Sequence, residues 1–159
     1  MTRSPALEWS TDNCSVARTL DVIGEKWTLV VLRELFQGVR RFEEMRARTG
    51  IPRQVLSDRL GQLVADGVLR RASYREPGQR ERHEYRLTQK GIDLHPVLVA
   101  LMTWGDAYAA DPEGPSIELH HKDCGAPLAL VLQCANGHGP LTARDVRARP
   151  GPAARRRSA

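Results

Sequence analysis

Four polar side chains in one short stretch, Arg53, Gln54, Ser57 and Arg59, have the right chemistry to read DNA. An arginine guanidinium can bond guanine O6 and N7 together, and a glutamine amide can bond adenine N6 and N7. Each good bidentate pair discriminates against a wrong base by about 1–3 kcal/mol. Some of the four would instead hold phosphates and set register, Ser57 first among them. A second set lies toward the C-terminus: His121-x-x-Cys124, then Cys134-x-x-x-His138. Imidazole and thiolate in such pairs are zinc ligands, and with all four from protein the metal would be structural. The first pair has knuckle spacing and the second is looser, with Gly137 standing where another cysteine would tighten it; His120 competes with His121 for the role. The other reading of these cysteines is a pair of small residues packed across a hairpin, or a disulfide.

The elements that would position the first set follow from apolar spacing. Val16, Leu20, Ile23, Trp27, Val30, Val31 and Leu35 recur at threes and fours, with Gly24 between, which predicts helices over about 15–23 and 26–36. Gly38 is placed to stop the second. A short helix over 42–48 ends at Gly50, and Pro52 opens a helix over 52–65 with Val55, Leu56, Leu60, Leu63 and Val64 on its apolar stripe. Arg53, Gln54, Ser57, Asp58 and Arg59 fall on the opposite face. Asp66-Gly67 closes that helix. Strands over 68–74 and 83–87 follow, joined by a turn at 75–82 that carries Arg75, Arg80 and Arg82. Thr88 is set to cap one long apolar helix reaching Tyr108, kinked near Pro96. That helix bears more apolar surface than a small domain can cover, which predicts a dimer seam. Residues 117–134 alternate in the manner of a small hairpin or ribbon.

Charge singles out the same region. Residues 40–90 hold 13 Lys and Arg against seven Asp and Glu, while the segments before and after are close to neutral. A local basic excess is what a phosphate-bearing partner requires. Helix, turn, helix and hairpin in that order place one helix in a major groove and the arginine-tipped hairpin on the backbone or in the minor groove. Two such units about a two-fold axis would read a palindromic operator. The fold class expected is therefore α+β: a winged helix-turn-helix domain with dimerisation helices over 12–110, a small C-terminal β hairpin or ribbon over 115–146 that offers metal ligands, and a disordered basic tail over 147–159.

The succession of Cys14-Ser15-Val16-Ala17, Ile23-Gly24-Glu25-Lys26-Trp27-Thr28-Leu29, Arg41-Phe42-Glu43-Glu44-Met45, Ile51 to Leu60, Leu63 to Leu69 and Tyr85 to Gly91 resembles the HxlR-type branch of bacterial winged helix-turn-helix regulators, relatives of the MarR group. The resemblance covers about residues 12–110. It implies homodimers and repression near the regulated gene, released by a redox or small-molecule signal. Some members place a redox-sensing cysteine at the position of Cys14, where a solvent-accessible thiolate reacts with oxidants or aldehydes and DNA affinity changes. A buried, inert cysteine is the alternative. MarR relatives also bind small aromatics beside their dimer helices, where Trp27, Trp104 and Tyr108 would stand unless they pack the core.

Other classes fit less well. No phosphate loop, Ser-His-Asp spacing or paired carboxylates stand in a credible context, so the chain does not read as an enzyme. Beyond structural zinc no cofactor is implied. Three cysteines cannot all pair within one chain, and residues 1–15 do not read as a signal peptide, so cytoplasm is the expected location. No apolar run of membrane length occurs. The rival reading is a winged-helix module that buries its recognition helix against another protein and does not bind DNA.

Overall fold

The computed structural model describes residues 8–78 and 80–157. Two compact units are present: residues 20–117, and residues up to Thr19 together with residues from Glu118 onward. The division differs from that expected, because the N-terminal segment groups with the C-terminal one.

Helix α1 spans Ser15–Ile23 and α2 spans Lys26–Phe36, the bounds that periodicity gives. Thr28, Val31, Leu32 and Leu35 line one side of α2 and are buried. The helix stops where Gly38 adopts a left-handed φ of 84°. Its N–H then donates to the Leu35 carbonyl at 3.1 Å, and Val39 N–H donates to that of Glu34 at 3.0 Å. These are the paired bonds of a Schellman stop, which satisfy carbonyls the helix leaves over.

Helix α3 (Phe42–Thr49) ends on Gly50 at a φ of 68°. Thr49 Oγ1 donates to the Met45 carbonyl at 2.6 Å and accepts from Ile51 N–H at 3.3 Å, so the turn is tied on both sides. Ile51 plugs the core between α3 and α4 (Arg53–Ala65), and Pro52 precedes the first turn of α4 with its carbonyl accepting from Leu56 N–H. Leu56, Leu60 and Leu63 are buried and form one core with Val31, Leu32, Leu35, Met45, Ile51, Val68 and Leu69. Gly67, at a φ of 70°, ends α4 in the same two-bond manner as Gly38 ends α2.

Strands β1 (Leu69–Tyr74) and β2 (Arg82–Leu87) pair antiparallel, from Leu69 opposite Leu87 to Tyr74 opposite Arg82. Tyr85 N–H also donates to the Arg40 carbonyl at 2.9 Å, which fixes the hairpin against the segment leading into α3. The Thr88 side chain donates to the Gly67 carbonyl at 2.6 Å and accepts from Gly91 N–H at 3.2 Å, as its place before a helix predicted. Gly91 is buried there, and a Cβ would run into the Val68 carbonyl oxygen and come within 2.9 Å of Leu87.

The long C-terminal helix is two helices, α5 (Gln89–Ile92) and α6 (His95–Tyr108). Pro96 does not kink one helix; it begins another. Its missing N–H and its ring forbid continuation of the preceding turn but suit a first turn. In α6 only Leu98 and Val99 are buried. Val97, Leu101, Trp104 and Tyr108 face solvent, with Ile92 in α5.

In the second unit the expected strands do not form. His120 and Pro127 make one isolated bridge, beside a bond from Leu128 N–H to the Leu119 carbonyl at 2.7 Å. Among the described residues of 117–134 no strand follows, and Leu128, Leu130 and Leu132 lie exposed. The alternation is present, but without a longer partner segment it builds no ladder. The basic end read as a disordered tail runs beside the N-terminal segment: Ser10 N–H donates to the Arg155 carbonyl at 2.8 Å, and Arg157 N–H to that of Glu8 at 2.9 Å. Ser158 and Ala159 lie outside the described residues.

Candidate nucleic-acid interface

Burying Leu56, Leu60 and Leu63 turns the opposite face of α4 outward, and Arg53, Gln54 and Ser57 are exposed there, with Arg59 half-buried. Gln54 Nε2 donates to Asp58 Oδ1 at 2.8 Å, one turn along, which orients the amide on that face. Arg53 reaches back across the turn to Glu43 of α3 and lies over the Phe42 ring, 5.2 Å from its centroid. Arg46 meets the same Glu43 carboxylate at 3.3 Å. These groups flank an open groove between α3 and the start of α4 that Gly50 and Pro52 also line.

The hairpin carries the second half of the basic surface. Arg75 and Arg80 in its turn and Arg82 at the turn end of β2 are exposed, as are Arg70 and Arg71 along β1. Arg41, just ahead of α3, bonds Glu76 at 2.8 Å and stacks over Tyr74 at 4.4 Å. That contact fixes the wing relative to the helix pair. The sequence marks Arg41 only as one more basic residue; its role appears once the hairpin folds back on it.

Beneath the interface sits Glu34, a charged residue with a fully buried side chain. Arg33 Nη2 donates to it at 2.6 Å and Arg48 Nε at 2.5 Å, and Arg48 also donates to Gln37 Oε1 at 3.1 Å. Burial alone would push the Glu34 carboxyl upward; the hydrogen bonds and charges of Arg48 and Arg33 outweigh it and hold the group below its ordinary 4.5. The cluster ties the last turn of α3 to α2. Glu34 and Arg48 are fourteen residues apart, beyond the reach of periodicity, so nothing local in the sequence shows their pairing.

The histidine and cysteine set is brought together only in pairs. His121 Nδ1 lies 3.2 Å from Cys124 Sγ, and Cys134 Sγ lies 3.5 Å from His138 Nδ1. Among the described residues no three such side chains gather where they could hold a metal. His120 is engaged elsewhere: its ring bonds the Gly125 carbonyl and Glu118, which raise its pKa above 6.5. Cys14, Cys124 and Cys134 are free thiols, with Cys14 half-buried ahead of α1. Trp27 packs partly against the core, whereas Trp104 and Tyr108 are exposed and touch each other, with ring centroids 5.4 Å apart.

The family model for HxlR-like helix-turn-helix proteins matches residues 22–113, which takes in α2 through α6 and the hairpin. The chain belongs to that family. It is a winged helix-turn-helix transcriptional regulator. The uncharacterized HTH-type transcriptional regulator Rv3095 of Mycobacterium tuberculosis (strain ATCC 25618 / H37Rv) is 49% identical over 138 residues, covering 87% of this chain and 86% of that one. Among solved structures, the putative transcription factor PA1607 superposes with a TM-score of 0.76 at 37% identity, over 87% of this chain and 95% of that one. The redox regulator HypR in its oxidized form matches with a TM-score of 0.54 at 31% identity, over 62% of this chain and all of the other. The match to PA1607 extends beyond the residues the family model covers, so it takes in part of the second unit. No helix among the described residues is long and apolar enough to cross a membrane.

Proposed function

We propose that this HxlR-like regulator binds a palindromic DNA operator as a homodimer and represses transcription until oxidation at Cys14 releases it. The observation that carries the reading is the polar face of α4, with Arg53, Gln54 and Ser57 exposed and Arg59 half-buried, beside a hairpin bearing Arg75, Arg80 and Arg82. A helix of this kind offers a few side chains to base edges, and the flanking arginines hold phosphates. The apolar row on α6 supports pairing of two copies. The likeness to HypR, a redox regulator solved in oxidized and reduced forms, supports a thiol switch. Cys14 is a free, half-buried thiol directly before α1, and α1 ends at Ile23 in the core of the DNA-binding unit.

The test uses a duplex selected from a randomised pool by the reduced protein. Reduced wild type binds it with steep salt dependence, because phosphate contacts release counterions. Treatment with hydrogen peroxide lowers the affinity about tenfold or more, and Cys14→Ser binds as the reduced protein does under both conditions. Equal loss of affinity in Cys14→Ser on oxidation would overturn the switch. Failure to select any duplex, with salt-resistant binding to a protein partner instead, would overturn DNA recognition in favour of the interaction module.

A further inference from the structure

We infer that Glu43 is an internal counter-anion: in the DNA-free protein its carboxylate holds the two guanidinium groups that a backbone phosphate takes over on binding, and so it limits affinity and flattens the salt dependence. The inference rests on the DNA-binding reading above and assigns one residue to setting its strength.

One carboxylate serves two arginines from two helices. Glu43 Oε2 meets Arg46 Nη1 at 3.3 Å within α3, and Glu43 Oε1 meets Arg53 Nη2 across the turn at the first residue of α4. All three side chains are about half exposed or more, at 47% for Arg46, 61% for Glu43 and 63% for Arg53. The groove they border opens to solvent. A phosphodiester, like a carboxylate, presents two acceptor oxygens sharing one negative charge, and a guanidinium fork takes either. Exposed ion pairs are weak enough for a phosphate to displace, but giving up two of them on binding still takes from the affinity. The Phe42 ring beneath Arg53 keeps that guanidinium at the mouth of the groove while its partner changes. Glu44 provides the contrast. It carries the same charge one residue along, yet among the described residues it pairs with Arg41 alone, at 3.6 Å.

The pairing also predicts a particular salt response. In the wild type, salt weakens the Glu43 pairs and the DNA contacts together, so part of the loss cancels. Without the carboxylate only the DNA contacts remain to be screened.

The experiment measures fluorescence anisotropy of a labelled random-sequence duplex of about 30 base pairs with wild type, Glu43→Gln and Glu44→Gln, from about 50 to about 200 mM salt. At the lowest salt Glu43→Gln binds about tenfold tighter than wild type. Glu44→Gln gains about twofold from the lost charge alone. The advantage of Glu43→Gln shrinks as salt rises, and the slope of log affinity against log salt steepens by about one. An excess of about threefold or more over Glu44→Gln at low salt, shrinking with salt, supports the inference. Equal gains, a smaller excess, a loss, or an excess that does not depend on salt overturns it while leaving DNA binding intact. Absence of wild-type binding to both this duplex and the selected one overturns the two readings together.

Discussion

Leu101→Asp combined with Trp104→Asp is expected to give a folded monomer that loses at least about 100-fold in affinity for a duplex with two half-sites. Val97, Leu101, Trp104 and Tyr108 follow one another on α6 at intervals of three and four, and Trp104 and Tyr108 are 64% and 76% exposed. Those side chains contribute almost nothing to the core, where α6 supplies Leu98 and Val99. Carboxylates at 101 and 104 therefore leave the protomer's own packing intact but place charge in an apolar seam. Linking two recognition helices makes the second binding event intramolecular, worth about 10²–10⁴ in affinity. The variant's affinity for a duplex bearing a single half-site stays within about threefold of the value for one protomer, because α4 and the wing are untouched. Sedimentation equilibrium reads the first effect and anisotropy the second. A variant that still sediments as a dimer contradicts the assignment of this face.

Glu34→Ala is expected to lower stability by about 2–3 kcal/mol, the range of charge-assisted hydrogen bonds lost from a buried group. Arg33 and Arg48 are about half exposed and return to water when the carboxylate goes, which keeps the cost below that of stranding a buried charge. Acid distinguishes this cluster from simple packing. The folded-state carboxyl is held below 4.5, so its contribution is complete above that unfolded value and is lost as pH falls through the depressed one. Urea denaturation of wild type and Glu34→Gln, both at one protein concentration so that any self-association weighs on them equally, shows a gap at pH 7 that closes as the pH is taken well below 4.5. A gap that widens in acid contradicts the ion-pair account. Because Arg48 lies in the last turn of α3, its loss also loosens the helix that carries Glu43 and Arg46.

Much of the DNA-binding unit could be read from residue order. Gly38, Gly50 and Gly67 announce helix ends because a left-handed backbone suits glycine, and apolar spacing at threes and fours ahead of Gly38 and Gly67 gives α1, α2 and α4. The recognition face was legible for the same reason: once Leu56, Leu60 and Leu63 are assigned inward, Arg53, Gln54 and Ser57 must point out. Periodicity is silent where partners come from elsewhere in the chain. Glu34 and Glu84 look like solvated charges, yet both are buried beside arginines, Arg33 and Arg48 for the first and Arg86 for the second. The grip of Glu43 on Arg53 crosses a turn and becomes visible only when α3 and α4 meet. Pro96 was informative but ambiguous, since a proline can kink a helix or begin one. The alternation of Leu128, Leu130 and Leu132 misled, because a strand needs a partner as well as a pattern.

Two copies of the regulator are expected to present α4 to successive major grooves with their hairpins on the flanking backbone. Hydroxyl-radical and dimethyl-sulfate footprinting of wild type, Arg53→Ala and Arg80→Ala on the selected duplex tests it most directly. The account predicts two symmetric blocks of major-groove protection one helical turn apart, roughly 34 Å, with Arg53→Ala weakening the blocks and Arg80→Ala weakening only the flanks. A single block, or protection indifferent to Arg53, would contradict it.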